Sequence, residues 1–307
     1  MILLIEQLLN GLQFGVFLFL VSAGLTLIFG IMGVINLAHG SLYMVGAYAA
    51  AIGMQLTGSF WWGLMMALPA AALTGWLVEL VIIRQLYRRD HLDQVLATFG
   101  LILFLNELTT ICFGRAPLFL SLPETLSISV EILPGLLYPL YRLLIIGTGL
   151  LLAFLLYLLI SHTRVGMLLR AGTTHREMVE VLGVNLTLLN TGLFVLGALL
   201  AGFAGALAGP LISVEVGMGE NVLILCFVCI VIGGLGSIRG ALFGALLIGM
   251  VDTLGRAFLA SGLRLILPLE FADSIGAALS SMSVYLLMAL VLIFRPQGIL
   301  PVLGRVR

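Results

Sequence analysis

Along this chain the apolar residues gather into long runs separated by short polar stretches. Each run approaches the ~17 to 25 residues that a helix needs to cross a bilayer. They fall near 6–29, 40–57, 61–83, 95–113, 143–161, 187–210, 222–235, 240–259 and 276–294. The runs at 40–57, 222–235 and 240–259 are short or abut an interruption, so half-spanning helices belong among the candidates. The pattern predicts an all-α polytopic membrane protein with about 8–10 transmembrane or half-spanning helices. They form a single transmembrane domain over 1–307.

Two interruptions are rich in glycine. The first reads Gly30-Ile31-Met32-Gly33-Val34-Ile35-Asn36-Leu37-Ala38-His39-Gly40, the second Gly233-Gly234-Leu235-Gly236-Ser237-Ile238-Arg239-Gly240. Loose backbone survives at membrane depth only where protein buries it or where it lines a watery cavity, and paired breaks in the two halves of a chain point to a transport pathway. The expectation is a solute permease whose pathway involves Asn36, His39, Gly40, Gly233, Gly234, Gly236 and Ser237. His39 and Asn36 each either line that path or bond backbone groups freed by the break. Each break sits between an apolar run and a small-residue helix, and a later span ends in arginine. That suggests a diverged internal repeat aligned at Gly40 and Gly240, parallel or inverted.

Arginine-rich short loops stay in the cytoplasm. Arg84, Arg88 and Arg89 mark one inside loop, Arg164, Arg170 and Arg176 another, and Arg295, Arg305 and Arg307 an inside C-terminal segment. Residues 114–141 then fall outside. This stretch carries four prolines, and Leu126-Ser127-Ile128-Ser129-Val130-Glu131-Ile132 alternates with the period of a strand, which predicts a small external cap. Nine full spans put the N-terminus outside; one re-entrant segment would reverse it.

Composition narrows the functions. Hydrophobic residues make up 62% of the chain and charged residues 9%, so lipid must solvate most of the exterior. The net charge is zero and no basic run is present, which argues against nucleic acid, and residues 1–6 lack the cationic start of a signal peptide. Lysine is absent, which removes a phosphate-binding P-loop and Schiff-base chemistry. Any ATP that drives transport must be bound by another chain, and no cofactor is expected in this one. Cys226 and Cys229 form a C-x-x-C inside an apolar run and read as small hydrophobes; no metal-ligand cluster is visible.

Residues 163–185 show the grammar of a helix in water. Thr174 with Glu177 fits a capping box, Met178 and Leu182 lie one turn apart, and Gly183 supplies a left-handed stop. Arg164, Arg170 and Arg176 give a basic face, and Met167, Leu168 and Leu169 give apolar knobs. The segment is either a loop resting on membrane lipid headgroups or a docking element for a cytoplasmic partner.

Polar residues within spans are costly and invite a functional reading. Asp252 and Arg256 stand one turn apart and pair. Asn106 and Glu107 have no cation one turn away and are candidates for the solute path or an interhelical hydrogen bond. Gly197, Ala201, Gly205 and Gly209, and likewise Ala241, Ala245 and Gly249, recur every four residues, a spacing that lets helices approach closely within the chain or between subunits.

The string from Gly24 to Gly40 resembles the N-terminal signature of the branched-chain amino acid ABC transporter permeases of the LivH type. Three further blocks agree: Thr163-Arg164-Val165-Gly166-Met167 leading to Leu182-Gly183-Val184-Asn185; Gly233 to Ala241; and Phe294-Arg295-Pro296-Gln297-Gly298. The resemblance implies an importer subunit of the bacterial inner membrane, working with a second, LivM-type permease, two cytoplasmic ATPase subunits and a periplasmic solute-binding protein. It makes residues 163–185 the coupling loop, with Gly166, Arg170, Arg176, Glu177, Met178, Leu182 and Gly183 in that role. Two positions depart from the pattern: Tyr87-Arg88-Arg89 replaces a Tyr-Arg-Pro, and Cys226 replaces an alanine. Relatives of such permeases move urea or short amides, and the motifs do not separate these cargoes. An ion-coupled secondary transporter would need a chain of intramembrane acids or histidines, and an intramembrane enzyme would need paired carboxylates or a nucleophile with its base; neither set is visible.

Overall fold

The computed structural model describes residues 2–300 apart from Arg88, His175, Leu182 and Leu267. Arg305 and Arg307 therefore lie outside the described residues, as do Arg88 and Leu182. Helices dominate. Seven of those described are long and apolar enough to cross a membrane: Ile2–Met32, Phe60–Leu86, His91–Phe113, Leu140–His162, Leu186–Ala208, Ile238–Leu263 and Phe271–Phe294. The chain is a multi-pass membrane protein.

In chain order the helices are α1 (Ile2–Leu27), α2 (His39–Thr57), α3 (Phe60–Val78), α4 (Arg84–Leu86), α5 (His91–Phe113), α6 (Leu140–His162), α7 (Arg164–Thr174), α8 (Arg176–Val181), α9 (Leu186–Ala208), α10 (Met218–Gly233), α11 (Ile238–Leu263) and α12 (Leu269–Phe294). Wider, π-helical turns extend α1 over Ile28–Met32 and α3 over Glu79–Ile83. The nine predicted runs match nine apolar helices. Two, α2 with 19 residues and α10 with 16, fall outside the set of seven. The run at 240–259, placed among the half-spanning candidates because it abuts a break, lies in a helix of 26 residues.

The helices gather into two compact units, interleaved along the chain. One holds Ala23–Pro123 and Leu152–Leu225, with α2, α3 and α9 at its centre. Glycine makes these contacts possible. A Cβ on Gly46 would meet the backbone of Gly202 at 2.2 Å, and one on Gly205 would meet the Tyr43 carbonyl at 2.0 Å. In lipid, where apolar surface gives no preference for protein over solvent, such backbone approach supplies the van der Waals contact that holds helices together. The other unit holds Met1–Ser22, Glu124–Leu151 and the chain from Cys226 on. Here Gly11 and Gly15 of α1 lie against Gly249 and Ala245 of α11, and Gly149 of α6 against Val16. Both small-residue stripes are thus spent on packing within the chain.

The alternating segment supplies a strand, as its period predicts, and the structure pairs it with a second strand in a hairpin. Strand β1 (Ser129–Leu133) pairs antiparallel with β2 (Leu136–Pro139) around Gly135, whose φ of 85° suits a residue without a Cβ. Tyr138 is buried, its hydroxyl donates to Asn10 Oδ1 at 3.1 Å, and burial raises its pKa. The start of α1 therefore lies on the same side as the hairpin.

Candidate functional site

The first break begins where α1 widens. Gly33, at φ 69°, ends the π-helical turn and donates its N–H to the Phe29 carbonyl at 3.1 Å. Residues 34–38 are not helical, and their backbone groups need partners in a buried setting. Asn36 supplies one: its Oδ1 accepts from the Ala38 N–H at 3.1 Å. Gln94, in the first turn of α5, supplies another, its Oε1 accepting from the Ile35 N–H at 3.1 Å. The Gln94 amide nitrogen donates to the Leu86 and Arg89 carbonyls, each at 3.2 Å, so one buried side chain ties the break to the turn before α5.

His39 opens α2 and is fully buried, its Cε1 2.9 Å from where a Cβ on Gly24 would stand. Gly40 meets Gly219 backbone to backbone; a Cβ on Gly219 would lie 1.9 Å from the Gly40 carbonyl. The first turns of α2 and α10 thus converge. Glu220, the next residue of α10, accepts from Asn106 Nδ2 at 2.7 Å, which brings Asn106 into the same neighbourhood. Glu107 does not join it, because its side chain is exposed on a different face of α5 from the buried Leu101, Leu105 and Thr109. The Asn36 amide nitrogen is buried without a hydrogen-bond partner among the described residues.

The second break is closed by a later segment. Gly234 and Gly236 adopt φ of 109° and 82°, and Ser237 caps α11 by accepting the Gly240 N–H at 3.0 Å. A Cβ on Gly240 would lie 2.2 Å from the Gly233 carbonyl, so the end of α10 and the start of α11 touch through bare backbone. Beyond α12 the chain returns: the Ile299 N–H donates to the Ile232 carbonyl at 2.8 Å and the Leu300 N–H to the Gly233 carbonyl at 3.0 Å. These amides satisfy carbonyls that the end of α10 leaves open.

The segment at 163–185 is two short helices where one was expected. α7 already begins at Arg164, and Thr174 lies at its last turn rather than outside a helix. Thr163 starts it, accepting the Gly166 N–H at 3.1 Å. Gly166 has no room for a side chain, since a Cβ would sit 2.2 Å from the Ile160 carbonyl, and Arg170 donates to that same carbonyl. Gly183 is left-handed at φ 84°, the predicted stop. Met178 and Val181 are among the most exposed apolar side chains of the unit, at 67% and 85%. The side chains of Thr174, Arg176 and Glu177 fall outside the described residues, as does Leu182. On its other face α7 packs on the π-helical turn of the first break, where Leu169, Gly172, Ile31, Leu186 and Asn190 border a small cavity.

A buried charge escaped the sequence reading. Glu79 is wholly enclosed and accepts from Arg84 at 2.9 Å, Thr191 at 2.9 Å and Tyr87 at 2.6 Å, tying the π-helical end of α3 to α9. An acid within an apolar run five residues before an arginine was its visible signal. Cys226 and Cys229 are buried and Cys112 is exposed. Among the described residues no group of His, Cys, Asp and Glu could hold a metal.

Comparison with known proteins bears on these motifs as a set. The chain is 32% identical over 310 residues to the high-affinity branched-chain amino acid transport system permease protein BraD of Pseudomonas aeruginosa, covering 96% of this chain and 95% of that one. It is 28% identical over 318 residues to LivH of Escherichia coli, with the same coverage. Similarity extends to LivM of Salmonella typhimurium, at 27% identity over 92% of this chain and 67% of that one. No solved structure matches. The family described as branched-chain amino acid transport system / permease component matches residues 7–294, which takes in both breaks, the α7–α8 segment and the whole of α12, and the chain belongs to that family.

Proposed function

We propose that this chain is the membrane permease subunit of an ATP-driven importer of branched-chain amino acids in the bacterial inner membrane. The observation that carries this is the end-to-end match to relatives named for that transport, covering 95% of BraD and of LivH. The partners are a LivM-type permease, two cytoplasmic ATPase subunits and a periplasmic solute-binding protein. A chain without lysine has no P-loop, so hydrolysis falls to the ATPases. No cofactor or metal is required of this chain.

The solute path runs by the breaks. At the first, the positive ends of α2 and α10 converge beside Asn36, Asn106, His39 and Gly40. Oriented amides of this kind suit a carboxylate, and unwound carbonyls suit an ammonium. Gly233, Gly234, Gly236 and Ser237 shape the second break. Met178 and Val181 present an apolar surface to an ATPase, while Gly166, Arg170 and Gly183 fix the fold of that element; Arg176, Glu177 and Leu182 belong to the same docking segment. The arginine asymmetry puts α7 and α8 in the cytoplasm, and the hairpin and the start of α1 outside.

The test is reconstitution of all five components in proteoliposomes with L-leucine, urea and acetamide as alternative solutes. ATP-dependent leucine uptake that fails when any component is omitted is expected. Uptake by this chain alone on a proton gradient, or movement of urea or acetamide but not leucine, would overturn the reading.

A further inference from the structure

The unit containing the start of α1 has a polar groove that the breaks do not account for. It is open, measures about 520 Å³, and is bordered by Asn10 and Gln13 of α1, Arg142 of α6, and Asp252, Thr253 and Arg256 of α11. Ligand pockets commonly enclose about 300–1,000 Å³. Gln7, Asn10 and Gln13 recur every three residues and form one polar stripe on a helix whose other polar side chains are Glu6, Ser22 and Thr26. Polar side chains in a spanning helix are expensive to keep and mark functional surfaces. Charges of both signs line the groove. Arg256 Nε donates to Asp252 Oδ2 at 2.9 Å, and Arg142, from a different helix, donates to Asn10 Oδ1. Asp252 lies about four turns along α11 from the Ser237 cap, roughly 22 Å at 1.5 Å per residue, so the groove is separate from the second break.

We infer that this groove binds a zwitterion: Arg142 and Arg256 receive its oxyanion, and Asp252, with the Gln13 amide oxygen, receives its ammonium. Among the residues that border the groove, two guanidinia stand against one carboxylate and leave one positive charge for the incoming anion, and a guanidinium fork matches carboxylate and phosphate oxygens alike. A free α-amino acid and the headgroup of phosphatidylethanolamine share this chemistry. The amino-acid source rests on the importer reading above; the lipid source does not.

Two measurements on the full chain separate these sources. In phosphatidylglycerol nanodiscs, equilibrium binding of tritiated L-leucine is compared for wild type, Arg142→Gln, Asp252→Asn and Arg256→Gln. In mixed phosphatidylethanolamine and phosphatidylglycerol, native mass spectrometry counts retained lipid for the same proteins. Removing one charge-assisted contact should weaken the occupant's binding about tenfold or more. Leucine binding that falls in the variants assigns a free amino acid, and loss of retained phosphatidylethanolamine assigns the lipid. If wild type holds neither, or the variants match wild type in both, the inference is overturned. Should Arg142→Gln fail to fold, Arg256→Gln decides alone, because its side chain is 64% exposed and carries little packing. Leucine binding in this groove alongside a reconstituted complex that imports no leucine would refute the importer reading and leave the site standing.

Discussion

Replacing Gln94 with methionine keeps the length and flexibility of the side chain and removes every polar contact it makes. Four contacts are lost: the Ile35 N–H to the Gln94 Oε1, the His91 Nδ1 contact with that same oxygen at 3.3 Å, and the two hydrogen bonds to the Leu86 and Arg89 carbonyls. The Leu86 carbonyl also accepts the Arg89 N–H at 3.1 Å, so it keeps a partner, whereas Ile35 loses the acceptor that Gln94 provides. A net hydrogen bond is worth about 0.5–1.5 kcal/mol, and a buried group left unsatisfied costs about 1–3 kcal/mol. Within membranes measured values run lower, averaging about 0.6 kcal/mol for interhelical bonds. The sum for Gln94→Met is then on the order of 2–4 kcal/mol, concentrated at the first break. The assay pairs thermal unfolding of the purified chain with leucine uptake by the assembled transporter. A lower melting temperature and uptake reduced at least several-fold are expected, with Gln94→Glu intermediate in uptake because it keeps the acceptor for Ile35. If Gln94→Met transports normally and melts with wild type, Gln94 does not hold the break.

Gly240→Leu should abolish uptake, because its Cβ would lie 2.2 Å from the Gly233 carbonyl, while Gly147→Leu, with open space at that position, should transport normally; equal uptake by both would show that the second break tolerates separation. Met178→Asp should leave the melting temperature unchanged, since the side chain is exposed. It should weaken co-purification of the ATPase subunits about 30-fold, the equivalent of about 2 kcal/mol for a lost interface anchor; full retention would move the docking site elsewhere.

Long apolar runs are a strong signal because the bilayer leaves no other way to solvate them, which is why nine helices could be placed from the sequence, and the strand near residues 129–132 was legible in its alternation. The π-helical turns could not. Within Gly24 to Met32 nearly every residue is apolar, so the run carries no phase from which a widened turn could be read. Gln94 fell one residue before the span predicted to start at 95, and its partners lie 59 residues away at Ile35 and across a turn at Leu86. The capping pattern at Thr174 drew attention to α8 and hid α7, whose own start at Thr163 depends on packing against the end of α6. At the breaks, glycine was legible as a requirement but its reason was not: Gly40 and Gly240 serve close backbone contact with Gly219 and Gly233, residues that sequence spacing does not pair. The pathway roles of Asn36, Asn106 and Glu107 depend on solute geometry, and exposure already separates Glu107 from the other two.

The return of residues 299 and 300 to the end of α10 sets an order of events during synthesis. α10, α11 and α12 leave the ribosome before the amides that complete the second break exist. At about 5–20 residues per second the Ile232 and Gly233 carbonyls wait several seconds for their partners. Through that interval the break relies on the Ser237 cap and on the contacts of Gly240 and Gly244 with the end of α10, so this half of the permease matures last. A stop codon or fusion joint placed before Leu300 would leave the membrane helices intact and the break permanently unfinished, presenting the cell with an inserted protein that fails quality control at a single short turn.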